Sequence, residues 1–359
     1  MKQWPIWKDK LDSPNTEGGL RTKGVFKTSE IGAPLISYVT IVRNNPQTIE
    51  RTIQSVQKQS YKNIEHIILD GASTDNTLEI IKRYSENIDY FASESDNGLY
   101  NALNKAIELC RGEFILVLNS DDWLSDDSAE YIAKNYTQGE AIFVAGTAKV
   151  LVDKFNTVDW HPQQVTKNSY LKVANLNHNA VYASRKTYEL SGSYDDSYKI
   201  AADTKWVLKC YDIGAKFYYT NEILVNYSLG GTSSDIYWHV EECKRIIKEK
   251  FPFLKGDEVQ SLNYIYYQWK EGFKFPLVGF NAYLELSEIA KKYTQKKDFI
   301  EALNLEETIH SLSMENSSVA SHSSYRNQSR IFLNAKKIVS IHPLTYNLAK
   351  KIYKKLRRN

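Results

Sequence analysis

The sequence predicts an α/β fold: a mainly parallel sheet flanked by helices, followed by a C-terminal helical extension. Three observations carry this. Short β-rich apolar runs recur at 35–42, 64–69, 88–92 and 114–118. They are too short to span a membrane and suit strands buried on both faces. Segments with helical spacing lie between them, so strand, helix and strand alternate in the order of a parallel sheet with right-handed crossovers.

Residues 1–33 are polar and rich in Gly, Lys and Thr; with Trp4 and Trp7 able to pack on the body, they read as an extended arm without secondary structure. The first strand is 35–42. Asn45 as N-cap and Pro46 at the first helical position open a helix, with Ile49, Ile53 and Val56 as its buried stripe. The second strand ends in the polar loop Asp70-Gly71-Ala72-Ser73-Thr74-Asp75, which caps a helix over 76–84. After the strand at 88–92, Asp96 or Asn97 caps a helix carrying Leu99, Leu103 and Ile107, stopped by Gly112. The central strand, 114–118, runs into Asn119-Ser120-Asp121-Asp122.

From about 139 the pattern changes. Strands are expected at 141–145 and 147–152, and a polar segment, Asn175-Leu176-Asn177-His178-Asn179, precedes a β-like run at 180–182. Gly192-Ser193-Tyr194-Asp195 is a turn. Asp203 opens a helix with Trp206, Val207 and Cys210 on one face and Gly214 beyond its end. Helical spacing returns at 240–250, 259–269, 282–293 and 297–305, and 311–329 is a Ser/Asn-rich linker. The expected organisation is an arm over 1–33, a main domain over 34–235, a helical region over 236–310, and a linker with a basic amphipathic helix over 311–359.

The 359 residues can bury a good core, and their ordinary composition excludes a disordered or fibrous chain. Cys110, Cys210 and Cys243 are far apart and lack metal-ligand spacing, as in a reduced cytosolic protein. Residues 1–11 have no apolar core of a signal peptide, and no run reaches a spanning length. From Asn316 to the end there are ten Lys or Arg and no Asp or Glu. Lys350, Lys351, Lys354, Lys355, Arg357 and Arg358 alternate with Leu348, Ile352, Tyr353 and Leu356 at helical spacing, which suits the anionic inner face of a cell membrane. A solvated basic tail is the plainer reading. Nucleic acid is not expected as a partner, because no nucleic-acid-binding fold is visible elsewhere.

Ligands of parallel α/β sheets collect at the carboxyl ends of the strands. Asp121 and Asp122 stand at such an end, and adjacent carboxylates tolerate one another best around a cation. Oxygen ligands of this kind suit Mg²⁺ or Mn²⁺ together with substrate phosphates. Asp70, at another strand end, is placed to accept from a base N–H. That favours uracil, thymine or guanine nucleotides over adenine ones; by itself the same residue also reads as a loop cap. A nucleotide-linked oxidoreductase is disfavoured, since Arg43-Asn44-Asn45-Pro46 follows the first strand in place of Gly-x-Gly-x-x-Gly.

Four motifs carry a resemblance. Val39-Thr40-Ile41-Val42-Arg43-Asn44, Asp70 to Asp75, Glu94-Ser95-Asp96-Asn97-Gly98-Leu99-Tyr100-Asn101-Ala102-Leu103-Asn104-Lys105 and Asn119-Ser120-Asp121-Asp122 resemble, in order and approximate spacing, those of family 2 glycosyltransferases. The resemblance covers about 34–235. It implies the GT-A, Rossmann-like fold and inverting transfer of a sugar from a nucleotide-diphosphate donor, UDP foremost, to a glycan or lipid-linked acceptor. It implies donor contacts for Thr40, Arg43, Asn44, Asp70, Glu94, Asp96, Gly98, Asn104, Lys105, Asn119 and Ser120. The family's Asp-x-Asp begins here with the uncharged Asn119, so the metal load falls on Asp121, with Asp122 beside it. Asp203 matches the family's base at an Ala-Asp step before a helix; as a helix N-cap it has an alternative role. His178, Gly231 and Ser233 match acceptor-side segments, with His239 an outside candidate for a metal or phosphate contact. A catalytically silent binding protein of the same fold is the alternative that Asn119 keeps open.

Overall fold

The computed structural model describes residues 15–136, 139–153, 155–173, 176–229, 235–268 and 278–305. The loop with Gly231 and Ser233, the linker and the basic tail therefore lie outside the described residues. The chain forms two compact units that divide between Ser234 and Asp235.

The first unit begins with β1 (Thr16–Gly18), β2 (Ile36–Val42), α1 (Ile49–Gln57), β3 (Ile64–Asp70), α2 (Thr77–Arg83), β4 (Tyr90–Ser93), α3 (Leu99–Leu109) and β5 (Phe114–Val117). It continues with β6 (Trp123–Leu124), α4 (Ser128–Asn135), β7 (Ile142–Leu151), β8 (Thr157–Trp160), α5 (Ser169–Lys172), β9 (Val181–Ser184), α6 (Arg185–Ser191), α7 (Ala202–Asp212) and β10 (Lys216–Ser228). Among the described residues these strands form one sheet, ordered β1-β4-β3-β2-β5-β9-β7-β10-β6, with β8 on β7. β4, β3, β2 and β5 are mutually parallel. β9 runs antiparallel between β5 and β7, and β10 is parallel to β7.

The parallel half follows from sequence. β2 is β-branched and apolar, and every residue but Ile41 is buried, as a strand covered on both faces demands. Ile49 and Ile53 of α1 meet Ile80 and Ile81 of α2 over Val42, Ile68 and Phe91. Two expectations change. α1 begins at Ile49, because Asn45 spends its groups elsewhere: its N–H donates to Thr77 Oγ1 and its Nδ2 to Ser120 Oγ. The strands expected at 141–145 and 147–152 are one strand, β7. Gly146 is not a break: a Cβ there would stand 2.2 Å from Leu224 of β10, so glycine marks close approach of two strands.

The described part of the arm, 15–33, is more structured than its composition suggests. β1 pairs antiparallel with β4. A 3₁₀ turn, Leu20–Lys23, then plants Arg21 inside the unit. Arg21 Nη2 meets Glu65 Oε2 at 2.5 Å, both side chains being at most 1% exposed, while Nη1 donates to the Leu109 carbonyl. Glu65 Oε1 accepts from Ser37 Oγ and the Arg111 and Gly112 amides. Such a pair persists in the interior because its hydrogen bonds are filled.

The second unit comprises α8 (Ile236–Lys250), α9 (Gly256–Asn263) running into a π-turn at Tyr264–Gln268, α10 (Val278–Lys292) and α11 (Lys297–Leu303). Phe251, Phe253, Tyr293 and Phe299 form its aromatic core. No described helix is long and apolar enough to cross a membrane.

Removing one partner of a buried ion pair leaves an uncompensated charge, at about 3–5 kcal/mol. Arg21→Met should therefore lower the urea midpoint of unfolding sharply, and adding Glu65→Gln should restore part of the loss. Equal midpoints for wild type and Arg21→Met would contradict this.

Candidate active site

Because β2, β3, β4 and β5 are parallel, their carboxyl ends deliver Arg43 and Asn44, Asp70, Glu94 and Asn119 to Asp122 to one side of the sheet. β9, running the other way, brings its own start there, the turn His178–Ala180.

On the β2–β4 side the carboxylates are tied into loops. Asp70 is buried, and its oxygens accept from Ser73 N at 3.0 Å, Ser73 Oγ, and Ser93 Oγ at 2.6 Å. Asn44, at φ 52°, donates its amide to Ser73 Oγ and accepts from Thr74 N, stitching two loops together. Ala72, at φ 54°, is held left-handed at a cost of about 1–2 kcal/mol. Strain of this kind gathers where a loop is shaped for a ligand. A Cβ on Gly71 would lie 2.6 Å from Asp96 Oδ2 and 3.5 Å from the Arg43 stem, so glycine lets both close on the loop. Arg43 itself is exposed. Asp96 Oδ1 accepts from the amide of Gly98, the residue that begins α3 at φ 113°. Glu94, nearly buried, is paired with Lys105 at 2.7 Å. Thr40 lies inside the sheet, bonded to His66 Nε2 at 2.9 Å. Burial drives His66 down to about 3, with Lys27 adding, so the ring is neutral. Asn104 is committed as well: it donates to the Tyr194 carbonyl and accepts from the Tyr194 amide, both at 2.9 Å.

The two adjacent aspartates divide. Asp122 is fully buried; Oδ2 accepts from Asn179 Nδ2 at 2.6 Å and Oδ1 from the Ser228 amide at 2.7 Å. Burial raises its carboxyl to about 8, with the Ser228 amide opposing and the Asp121 charge adding. Asp121 is only partly buried, and its carboxyl is raised by burial and held down by Arg51. Arg51 stacks on Trp123 at 3.8 Å and donates to the Asp121 carbonyl at 2.7 Å. Ser120 accepts from Asn45 at Oγ and, through its carbonyl, from Thr48 and Thr52. Among the described residues no three His, Cys, Asp or Glu groups gather as a closed metal site. The open donor set, the part-buried Asp121 carboxylate with Asn119 two residues before it, fits Mg²⁺ or Mn²⁺, which take one or two carboxylates and complete the shell with phosphates and water.

Asp203 lies in the first turn of α7, part-exposed. Its Oδ1 accepts from Thr204 N at 2.7 Å and lies 3.3 Å from the Tyr100 hydroxyl. His178 Nε2 is 2.7 Å from Tyr194 Oη, and its ring meets Trp206 edge-on at 6.4 Å. Burial lowers His178, and the Asp203 charge opposes this. His239 is on α8 of the second unit, with Cys243 Sγ 3.9 Å from Nδ1. Arg51, Tyr100, Asn179, Tyr194 and Ser228 were not anticipated. Tyr100 alone carried a signal: with Leu103 and Ile107 it forms the buried stripe of α3, whereas Leu99 is 37% exposed.

The fold is of the GT-A glycosyltransferase type. Residues 37–190 match the family model described as Glycosyl transferase family 2, so the chain carries a domain of that family. It is 27% identical over 210 residues to the chondroitin synthase of Escherichia coli, covering 56% of this chain and 30% of the relative. It is 25% identical over 213 residues to a PGL/p-HBAD biosynthesis glycosyltransferase of Mycobacterium bovis, covering 57% of this chain and 82% of the relative. The chain thus spans under a third of the synthase it matches. Among solved structures, the mannosyltransferase PcManGT from Pyrobaculum calidifontis, in complex with GDP-Man and Mn²⁺, superposes with a TM-score of 0.51 at 15% identity, covering 91% of this chain and 90% of its own. That likeness bears on the fold.

Deleting one partner of a buried hydrogen bond leaves the other unsatisfied, at about 1–3 kcal/mol each. Asp122→Ala should thus lower ligand-free thermal stability by about 3 kcal/mol or more, whereas Asp121→Ala should change it by under about 1 kcal/mol. Equal losses in calorimetry would refute this division.

Proposed function

We propose that the chain transfers a sugar, with inversion, from a nucleoside-diphosphate sugar, UDP foremost, to a hydroxyl of a glycan or lipid-linked glycan in bacterial surface polysaccharide assembly. The observation behind this reading is the convergence of four parallel strand ends, with Asp121 left available, beside the helix start that carries Asp203. The acceptor hydroxyl attacks the anomeric carbon as the bond to the diphosphate oxygen breaks, and the bonding pair leaves with the diphosphate. Asp203, in the first turn of α7, takes the hydroxyl proton as the base. A divalent cation held by Asp121, with the Asn119 amide, would neutralise the departing diphosphate. Arg43 and Asp96, brought together over Gly71, would border the nucleotide, and Glu94 with Lys105 would flank it.

Two tests follow from these roles. A ligand that binds only the native state raises stability by mass action, about 2.7 kcal/mol at a hundred times Kd. UDP with Mn²⁺ should raise the melting temperature more than UDP alone, and Asp121→Ala should lose the metal-dependent part. Asp203→Asn should keep the UDP shift while UDP release from UDP-hexoses, with mixed oligosaccharide acceptors, falls about 10²-fold. A wild-type rate for Asp203→Asn would make Asp203 a helix residue only.

The basic tail, read from sequence, supports an acceptor at a membrane. Basic residues at an anionic surface contribute about 1 kcal/mol each, screened by salt. The full chain should co-sediment with phosphatidylserine vesicles at low salt, and a chain ending near Ser329 should stay in the supernatant. Equal sedimentation of both would favour a soluble acceptor.

A further inference from the structure

The helix that follows the donor-side turn also grips the acceptor side. Glu94 to Gly98 lead directly into α3, and the first turns of α3 carry Tyr100 and Asn104, four residues apart and so on one face. Asn104 clamps the main chain of Tyr194 with two reciprocal hydrogen bonds. Tyr100 is 4% exposed, and its ring lies 5.7 Å from that of Tyr194. Its hydroxyl donates to the Ile200 carbonyl and stands 3.3 Å from Asp203 Oδ1. A buried phenol held at both its ring and its hydroxyl has no freedom to move.

Asp203 sits in the first turn of α7, where χ1 rotation would otherwise let its carboxylate sweep toward solvent. Oδ1 accepts from the Thr204 amide and faces the Tyr100 hydroxyl, whose single proton is shared between the nearer Ile200 carbonyl and this oxygen. The second oxygen is thereby presented in a fixed direction.

We propose that Tyr100 is a positioning residue for Asp203: it fixes Oδ1 and the Ile200 turn so that Oδ2 is aimed at the acceptor hydroxyl. This rests on the assignment of Asp203 as the base. Tyr100 exchanges no proton with substrate; the proton passes from the acceptor oxygen to Asp203, and the phenol stays intact. A hydrogen bond of ordinary strength that holds a base in place corresponds to a rate factor of about threefold to tenfold.

The test is a double-mutant cycle on UDP release from a panel of UDP-hexoses with mixed oligosaccharide acceptors. Tyr100→Phe keeps the ring packing and removes only the hydroxyl. It should lower kcat about threefold to tenfold with the donor KM and the UDP-induced thermal shift unchanged. In an Asp203→Asn background the same change should cost nothing further, because the group it serves is gone. Additive losses, or a raised donor KM with kcat intact, would make Tyr100 a packing residue and overturn the inference. If Asp203→Asn is inactive and Tyr100→Phe runs at the wild-type rate, this inference alone fails. If Asp203→Asn itself is fully active, the base assignment fails and takes the inference with it.

Discussion

Parallel pairing of β4, β3, β2 and β5 is the constraint from which the site follows. Each parallel neighbour requires a crossover, and each crossover returns the chain to the same edge before the next strand begins. The four carboxyl ends are left on one side, where the backbone must leave the sheet and find other partners for its polar groups. Those partners include site residues: Asp70 accepts from the Ser73 amide, Asn44 from the Thr74 amide, and Thr48 donates to the Ser120 carbonyl. Function and loop closure are thus drawn from one set of side chains, which is why so many of the polar residues there are already hydrogen-bonded.

β3 illustrates the cost of a strand covered on both faces. It carries Glu65, His66 and Asp70, all buried. Each is satisfied by a different element: Glu65 by Arg21 of the N-terminal turn, His66 by Thr40 of β2, and Asp70 by its own loop. Asp89, also buried, accepts from the His66 amide and pairs with Lys27. The segment before β2 is therefore part of the electrostatics of the sheet, supplying the two cations that the buried carboxylates lack.

The parallel half of the fold was legible because its signals are local: β-branched runs, a stripe at helical spacing, and polar loops at strand ends. Residues 141–152 misled because glycine inside a strand looks like punctuation until the neighbouring strand, with Leu224, is known. The arm misled for a similar reason, since nothing near Arg21 in sequence announces Glu65. Within the site, the strand ends could be read, but the division between Asp121 and Asp122 could not. It depends on Asn179 and Ser228, which are 57 and 106 residues away. Tyr100 was within reach, because 100, 103 and 107 also fall at helical spacing, with a phenol in place of Leu99 as the first member of the α3 stripe.

β1 has a consequence for solution behaviour. It is three residues long, yet it covers the outer side of β4, whose residues are all buried. Gly18 lies against the Phe91 ring so closely that no Cβ fits, and Tyr90 reaches Glu17. At the opposite margin of the sheet, β6 has only two residues. Short border strands offer few unpaired backbone groups to a strand of another molecule. Loss of residues 15–18 would uncover the β4 edge, Tyr90–Ser93, and leave its backbone groups open to pairing with another strand.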